Sequence, residues 1–155
     1  MANNCLIGLQ LTFKTDDDAE KYIKVWDARV AERKEKNVDG LYMGGDRYLF
    51  DPIMEIYGNH LYIYGWVKWC LNDDDIIEWL DDIKAIAPID YMRCDLEEPG
   101  FQIYGYYELI GNTLTYTFVP EDRWPDYESD TFHEDLETIL QTTYETYTVV
   151  EDYNV

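Results

Sequence analysis

Residues 61–88 change hydrophobic period within a few positions, and that change constrains the fold more than any other stretch. Leu61, Ile63, Gly65 and Val67 alternate with Tyr62, Tyr64 and Trp66, so 61–69 reads as a strand with large side chains on both faces. Leu71, Asn72, Asp73, Asp74 and Asp75 form a short acidic junction. Ile76, Trp79, Leu80, Ile83 and Ala87 then recur at helical spacing until Pro88 stops them. Asn72 or Asp73 serves as N-cap, and three acids meet the positive end of the helix dipole, for about 0.3–1 kcal/mol each. Asp74, Glu78, Asp81, Asp82 and Ala85 are expected to face outward. A strand turning so abruptly into an amphipathic helix predicts an α+β protein.

The flanking chain extends this pattern. Cys5, Ile7, Leu9, Leu11 and Phe13 alternate with Gly8, Gln10, Thr12 and Lys14, which predicts a half-buried strand. Thr15, with Asp18 three residues on, opens a helix carrying Ala19, Tyr22, Ile23, Trp26 and Val30 and ending before Asn37. Residues 41–43 and 48–50 read as a short hairpin around Gly44 and Gly45. Residues 53–57 read as a further strand, turned by Gly58 and Asn59 into the strand at 61–69. A strand is expected over 89–96, a turn at Pro99 and Gly100, and a hairpin of 101–109 with 113–119 through Gly111 and Asn112. After a loop at 120–130, a helix is expected over 131–143 with Phe132, Leu136, Ile139 and Leu140 buried, then a returning strand at 144–150.

The order β-α-β-β-α-β over residues 4–96 matches a ferredoxin-like core, with 97–155 adding a hairpin and an acidic helix. Length predicts one domain over 1–155. The arrangement resembles the phage- and plasmid-encoded ferredoxin-like proteins of the YubB-like family. Those carry Trp-Gly-x-Lys-Trp on a strand before an acidic helix start. Gly65, Trp66, Val67, Lys68 and Trp69 match it here with the first two residues reversed. The resemblance spans 4–96 and implies a mobile-element origin, without a settled activity to carry over.

Net charge is −21, and its distribution matters more than its size. Residues 1–37 hold seven acids and seven bases, whereas 38–155 hold 26 acids and five bases. Such a field repels nucleic acid and anionic membranes and favours basic partners or cations. With 46% apolar and 16% aromatic residues, the chain is no disordered acidic tail. No apolar run reaches the roughly 18 residues that suggest a membrane span, and the N-terminus lacks a signal-peptide pattern, so a cytoplasmic location is expected, in the host cell if the chain is phage-encoded. Cys5, Cys70 and Cys94 are odd in number and widely spaced, which predicts buried free thiols.

Motifs of known chemistry are missing. There is no phosphate loop, nucleophile elbow or zinc-binding His-Glu-x-x-His. His60 and His133 read as surface residues, His133 lacking the second His or Cys that a metal site needs. Asp73, Asp74 and Asp75 lack the spacing of a calcium loop and read as a cap. Glu78, Asp81 and Asp82 read as a solvated helix face rather than a catalytic cluster. No cofactor, metal or catalytic residue is expected. Direct nucleic-acid binding is not expected either, because clustered cations are missing beside the acids.

The excess charge points to mimicry of nucleic acid. Acids three and four apart on a helix stand about 5–6 Å from one another along one face. Asp74, Glu78, Asp81 and Asp82 do so on one helix, and Asp130, Glu134, Asp135 and Glu137 on or near another, with Asp126 and Glu128 preceding them. DNA partners present basic grooves. The expected function is an acidic inhibitor that fills the nucleic-acid groove of a restriction enzyme or CRISPR effector, in the manner of phage antirestriction and anti-CRISPR proteins. The contrasting readings are an interaction module acting through its aromatic sheet face, halophilic adaptation, and a small enzyme with a carboxylate cleft. A sheet apolar on both faces needs a second cover, from the C-terminal segment or from another subunit in a homodimer.

Overall fold

A computed structural model of the chain describes residues 4–98, 103–126, 128–142 and 144–153. The alternation that begins the sequence becomes β1 (Asn4–Phe13), and Thr15 caps α1 (Asp16–Glu35) by accepting from the Asp18 amide. β2 (Leu41–Tyr42), β3 (Tyr48–Tyr57) and β4 (His60–Lys68) follow, then α2 (Asp73–Ile86) and β5 (Ile89–Glu98). β6 (Ile103–Ile110), β7 (Thr113–Phe118), a 3-10 turn at Glu121–Arg123, α3 (Phe132–Thr142) and β8 (Glu145–Val150) complete the chain. Asn72 is the N-cap of α2. It forms a capping box in which its side chain accepts from Asp75 N and the Asp75 carboxylate accepts from Asn72 N.

All strands join one antiparallel eight-stranded sheet in the order β2-β3-β4-β1-β5-β6-β7-β8. The expected α+β class holds, but the sheet has twice the strands of a four-stranded core. The chain's first strand lies near its middle, between β4 and β5. Its odd-numbered side chains, Cys5 to Phe13, are almost fully buried. They meet Tyr22 and Trp26 of α1 and Ile76, Trp79, Leu80 and Ile83 of α2 in one apolar core, so both helices lie on the same sheet face. Register carries that face outward, through Cys94 and Tyr107 to Tyr116 and Tyr147.

Four expectations need correction or restriction. The two strands expected at 48–50 and 53–57 are one strand, bulged between Phe50 and Ile53 where Asp51 takes φ +49° before Pro52. Phe132, Leu136, Ile139 and Leu140 are half-buried, and no residue of α3 is fully buried. The turn at Pro99 and Gly100 and the strand start at Phe101 lie outside the described residues. Cys5 and Cys70 are joined in a disulfide instead of being free thiols. Trp69 leaves β4 with φ +64°, a left-handed conformation that folds the chain back so that Cys70 reaches β1, with the two Cα atoms 5.1 Å apart. Two cysteines 65 residues apart gave no local sign of that approach. Only Cys94 stays a buried free thiol, its pKa pushed up by burial.

A bridge across a loop of that length removes unfolded-state entropy worth about 4 kcal/mol. Dithiothreitol, or Cys70→Ser, should therefore lower the unfolding free energy by about that amount. Urea midpoints measured with and without reductant check this.

Candidate interaction surface

The acids of α2 are largely spoken for. Asp73 opens the helix, and its carboxylate accepts from the phenols of Tyr107 (2.6 Å) and Tyr147 (2.9 Å) on the sheet below. Asp75 accepts from Arg47 Nη1 at 2.9 Å, and the same guanidinium donates to the carbonyls of Lys68, Trp69 and Cys70. Asp81 accepts from the Tyr153 hydroxyl at 2.5 Å. Asp82 forms a bidentate pair with Arg29 of α1, both bonds 2.8 Å. Its side chain keeps only 15% of its exposure, so it does not face outward as expected. Asp74 and Glu78 remain exposed. Glu78 lies directly over the Gly44–Gly45 turn, where its carboxylate would overlap any Cβ at Gly45.

These contacts have electrostatic signatures. The hydrogen bonds that Arg29 donates to Asp82 raise the Arg29 pKa, and burial together with the Asp82 charge raises that of the Tyr22 phenol. Burial, then the bond to Asp73, pushes Tyr107 up strongly and Tyr147 up to about 12. Burial pushes Tyr116 to about 12, with the Asp73 charge adding to it, and burial plus the bond to Glu108 does the same for Tyr91.

The C-terminal acids differ in kind. Asp126, Glu128, Asp130, Glu134, Asp135 and Glu137 are all exposed. Asp126 accepts from the Glu128 amide, and Asp135 from the Thr131 hydroxyl, bonds that order the loop and the start of α3. Among the described residues none of the eleven acids between 121 and 152 forms an ion pair, and Arg123 is the only base there. The structure thus separates the ten candidate acids. Asp82 is held between α2 and α1 and Asp81, though exposed, is bonded to Tyr153, while Asp74, Glu78 and the six C-terminal residues are open to solvent.

The sheet face away from α1 and α2 carries a second kind of surface. Leu6, Ile53, Tyr57 and Tyr64 are 54%, 59%, 59% and 41% exposed. Beside them, Trp66 stacks on Phe50 at 4.5 Å, and Arg93 lies 3.7 Å from the Tyr106 ring centre while pairing with Asp95. Among the described residues no three His, Cys, Asp or Glu side chains converge as a metal site. His60 shares a hydrogen bond with Thr12, and His133 packs edge-on against Phe132. No described helix is long and apolar enough to cross a membrane.

Comparison with known protein families, curated proteins and solved structures finds no match to this chain.

The tyrosine and arginine partners of α2 were invisible to sequence reasoning because they lie far away in the chain, 34 residues for Tyr107 and 74 for Tyr147. The surplus of tyrosine in so acidic a chain was the available signal, since a phenol is an apolar ring that can also donate to a carboxylate.

Asp82→Asn should cost about 2 kcal/mol, less than a fully buried pair because both side chains keep some solvent contact. Asp74→Asn should stay within about 0.5 kcal/mol of wild type. Chemical denaturation of both variants checks the division into structural and free acids. The phenols give a pH dependence. Folded Tyr91, Tyr116 and Tyr147 hold their protons to about 12, whereas unfolded tyrosine ionises near 10. The unfolded state thus binds fewer protons between these values, and stability should be full below pH ~10 and decline toward pH ~12. Absorbance of tyrosinate, followed together with denaturant midpoints, reports both events.

Proposed function

We propose that this chain is a non-enzymatic inhibitor that lays its C-terminal acidic segment into the nucleic-acid groove of a basic defence enzyme, a restriction enzyme or CRISPR effector. The observation that carries this reading is that, among the described residues, none of the eleven acids between 121 and 152 forms an ion pair, against the internally compensated acids of α2. A fold that needed its acids only for stability would pair them. A surface that imitates a phosphate backbone keeps them free, fixed and close together. Glu134 and Glu137 stand one turn apart on α3, with Asp135 beside them. The half-buried Phe132, Leu136, Ile139 and Leu140 give α3 an apolar side of its own.

The central strands β3-β4-β1-β5, with α1 and α2 on one face, are read here as a ferredoxin-like unit extended by β6, β7 and β8. The likeness of residues 65–69 to the YubB-like motif supports a mobile-element setting for this activity. An inhibitor of such enzymes works in the host cytoplasm. Disulfides are rare there, so Cys5–Cys70, with Cys5 fully buried and Cys70 half-buried, is either shielded from reductant or dispensable for binding. The row of exposed Leu6, Ile53, Tyr57 and Tyr64 favours a second reading, an interaction module or homodimer built on the open sheet face.

The test uses purified restriction and CRISPR effectors at low salt. Mimicry requires inhibition, competition by a DNA duplex and affinity that falls steeply with salt. Glu134→Gln, Asp135→Asn and Glu137→Gln combined should weaken binding at least about tenfold, with an unchanged circular-dichroism spectrum. Binding that ignores both DNA and these substitutions, yet is lost in Tyr64→Lys, would transfer the function to the sheet face.

A further inference from the structure

Five of the twelve cations of this acidic chain line two adjoining clefts at one edge. One cleft, of about 610 Å³, is lined by Arg33, Lys34, Asn37, Phe50, Trp66 and Lys68, among others. The other, of about 660 Å³, runs on from it past Arg29, Arg33 and Lys36 to Tyr42 and Tyr48, sharing Phe50 as the ridge between them. Each volume suits a small organic ligand. We propose that this edge binds a small phosphorylated ligand bearing a planar ring, of the mononucleotide class.

Charge supports the phosphate half. Five cations and three acids, Glu32, Asp39 and Asp51, line the two clefts, a local positive balance inside a chain of net −21. Arg29 is committed to Asp82 and Lys36 to Glu32. Asp51 accepts from the Trp66 indole at 2.9 Å. Among the described residues Lys34 and Lys68 have no carboxylate partner, and the hydrogen bond recorded for Arg33 goes to the Asp39 carbonyl. The carbonyl end of α1 also points here and opposes an anion with about half a charge, which these cations outweigh.

The ring half rests on geometry. Phe50 and Trp66 stack at 4.5 Å with planes 18° apart, and the Tyr42 and Tyr48 ring centres lie 6.1 Å apart along the neighbouring wall. A base can stack on such walls for about 1–3 kcal/mol. Lys68 Nζ stands 5.2 Å over the Phe50 ring, next to where a stacked ligand would carry its charge. Every non-glycine residue with positive φ among those described lies at this edge. Asn37 (+53°) and Asp51 (+49°) line the first cleft, and Trp69 (+64°) follows Lys68. Asn37 ends α1 in an ordinary way. At Asp51 the conformation belongs to the β-bulge before Pro52, and its carboxylate there accepts from the Trp66 indole. A polyanion fits less well, because the cation patch is short and the surrounding acids would repel a longer strand.

Calorimetric titration of the intact chain at low salt, with adenosine monophosphate as probe, tests this. Saturable one-to-one binding is expected, with adenosine and inorganic phosphate each weaker by about tenfold. Lys34→Gln with Lys68→Gln, both exposed positions, should weaken the nucleotide about tenfold while leaving the melting temperature unchanged. Trp66→Leu should weaken adenosine and nucleotide alike and leave phosphate unaffected. The proposal is overturned if no saturable binding occurs at millimolar nucleotide, or if the lysine variants bind it as wild type. It is equally overturned if phosphate alone binds as tightly, or if a short single-stranded oligonucleotide binds more tightly than the mononucleotide. None of these outcomes depends on the inhibitor reading, since the titration contains no protein partner.

Discussion

An acidic helix laid on a sheet that is itself acidic would be driven off by its own charge unless the carboxylates were compensated where they touch. In α2 the compensation comes from three directions. Arg29 reaches across from α1, Arg47 from the β2–β3 turn, and the phenols of Tyr107, Tyr147 and Tyr153 rise from β6, β8 and the C-terminal residues. The burial of Ile76, Trp79, Leu80 and Ile83 supplies the attraction, and these bonds let the acids flanking that stripe accept being half-buried. The same bonds staple the late strands to the early core. Asp73 and Asp81 hold β8 and Tyr153 against a helix that precedes them by more than 70 residues.

Compensation on α2 sorts the remaining charge into regions. Most acids of α2 are bonded locally, those of the C-terminal third form no ion pair among the described residues, and Arg33 and Lys34 near the end of α1 line the opposite edge with Lys68. A molecule built this way has a strong dipolar asymmetry on top of its net charge. One end repels anions and attracts basic surfaces. The other, narrow and aromatic, is a cleft edge on a net −21 chain where five cations meet three acids. The aromatic content serves both, by packing under α2 and by walling the cleft.

Much of the fold was legible in residues 4–96. β1, α1, β4, α2 and β5 follow from period-two and period-3.6 patterns with Thr15 and Asn72 as caps, because those patterns reflect one buried face each. The bulge at Asp51 and Pro52 was read as a break, since a proline and a turn-forming acid look alike whether a strand ends or bends. The candidate acids were legible as exposed on α3 and, on α2, at Asp74, Glu78 and Asp81, whereas Asp82 was misjudged. Helical spacing alone tells which face an acid occupies. It does not tell that Arg29, 53 residues earlier, waits opposite Asp82.

Sequence by itself determined the α+β class, the helix caps, the apolar stripe of α2 and the concentration of acid after residue 120, all consequences of local order and composition. Tertiary structure decided the eight-strand order, the Cys5–Cys70 bond, the ion pairs of Asp75 and Asp82, the phenol bonds of Asp73 and Asp81, and the gathering of Arg33, Lys34 and Lys68 around Phe50 and Trp66. The reason is range. Caps and periodicities act over a few residues, whereas a disulfide, an ion pair or a cleft depends on which distant strands lie side by side, and that is settled only when the whole apolar surface is buried at once.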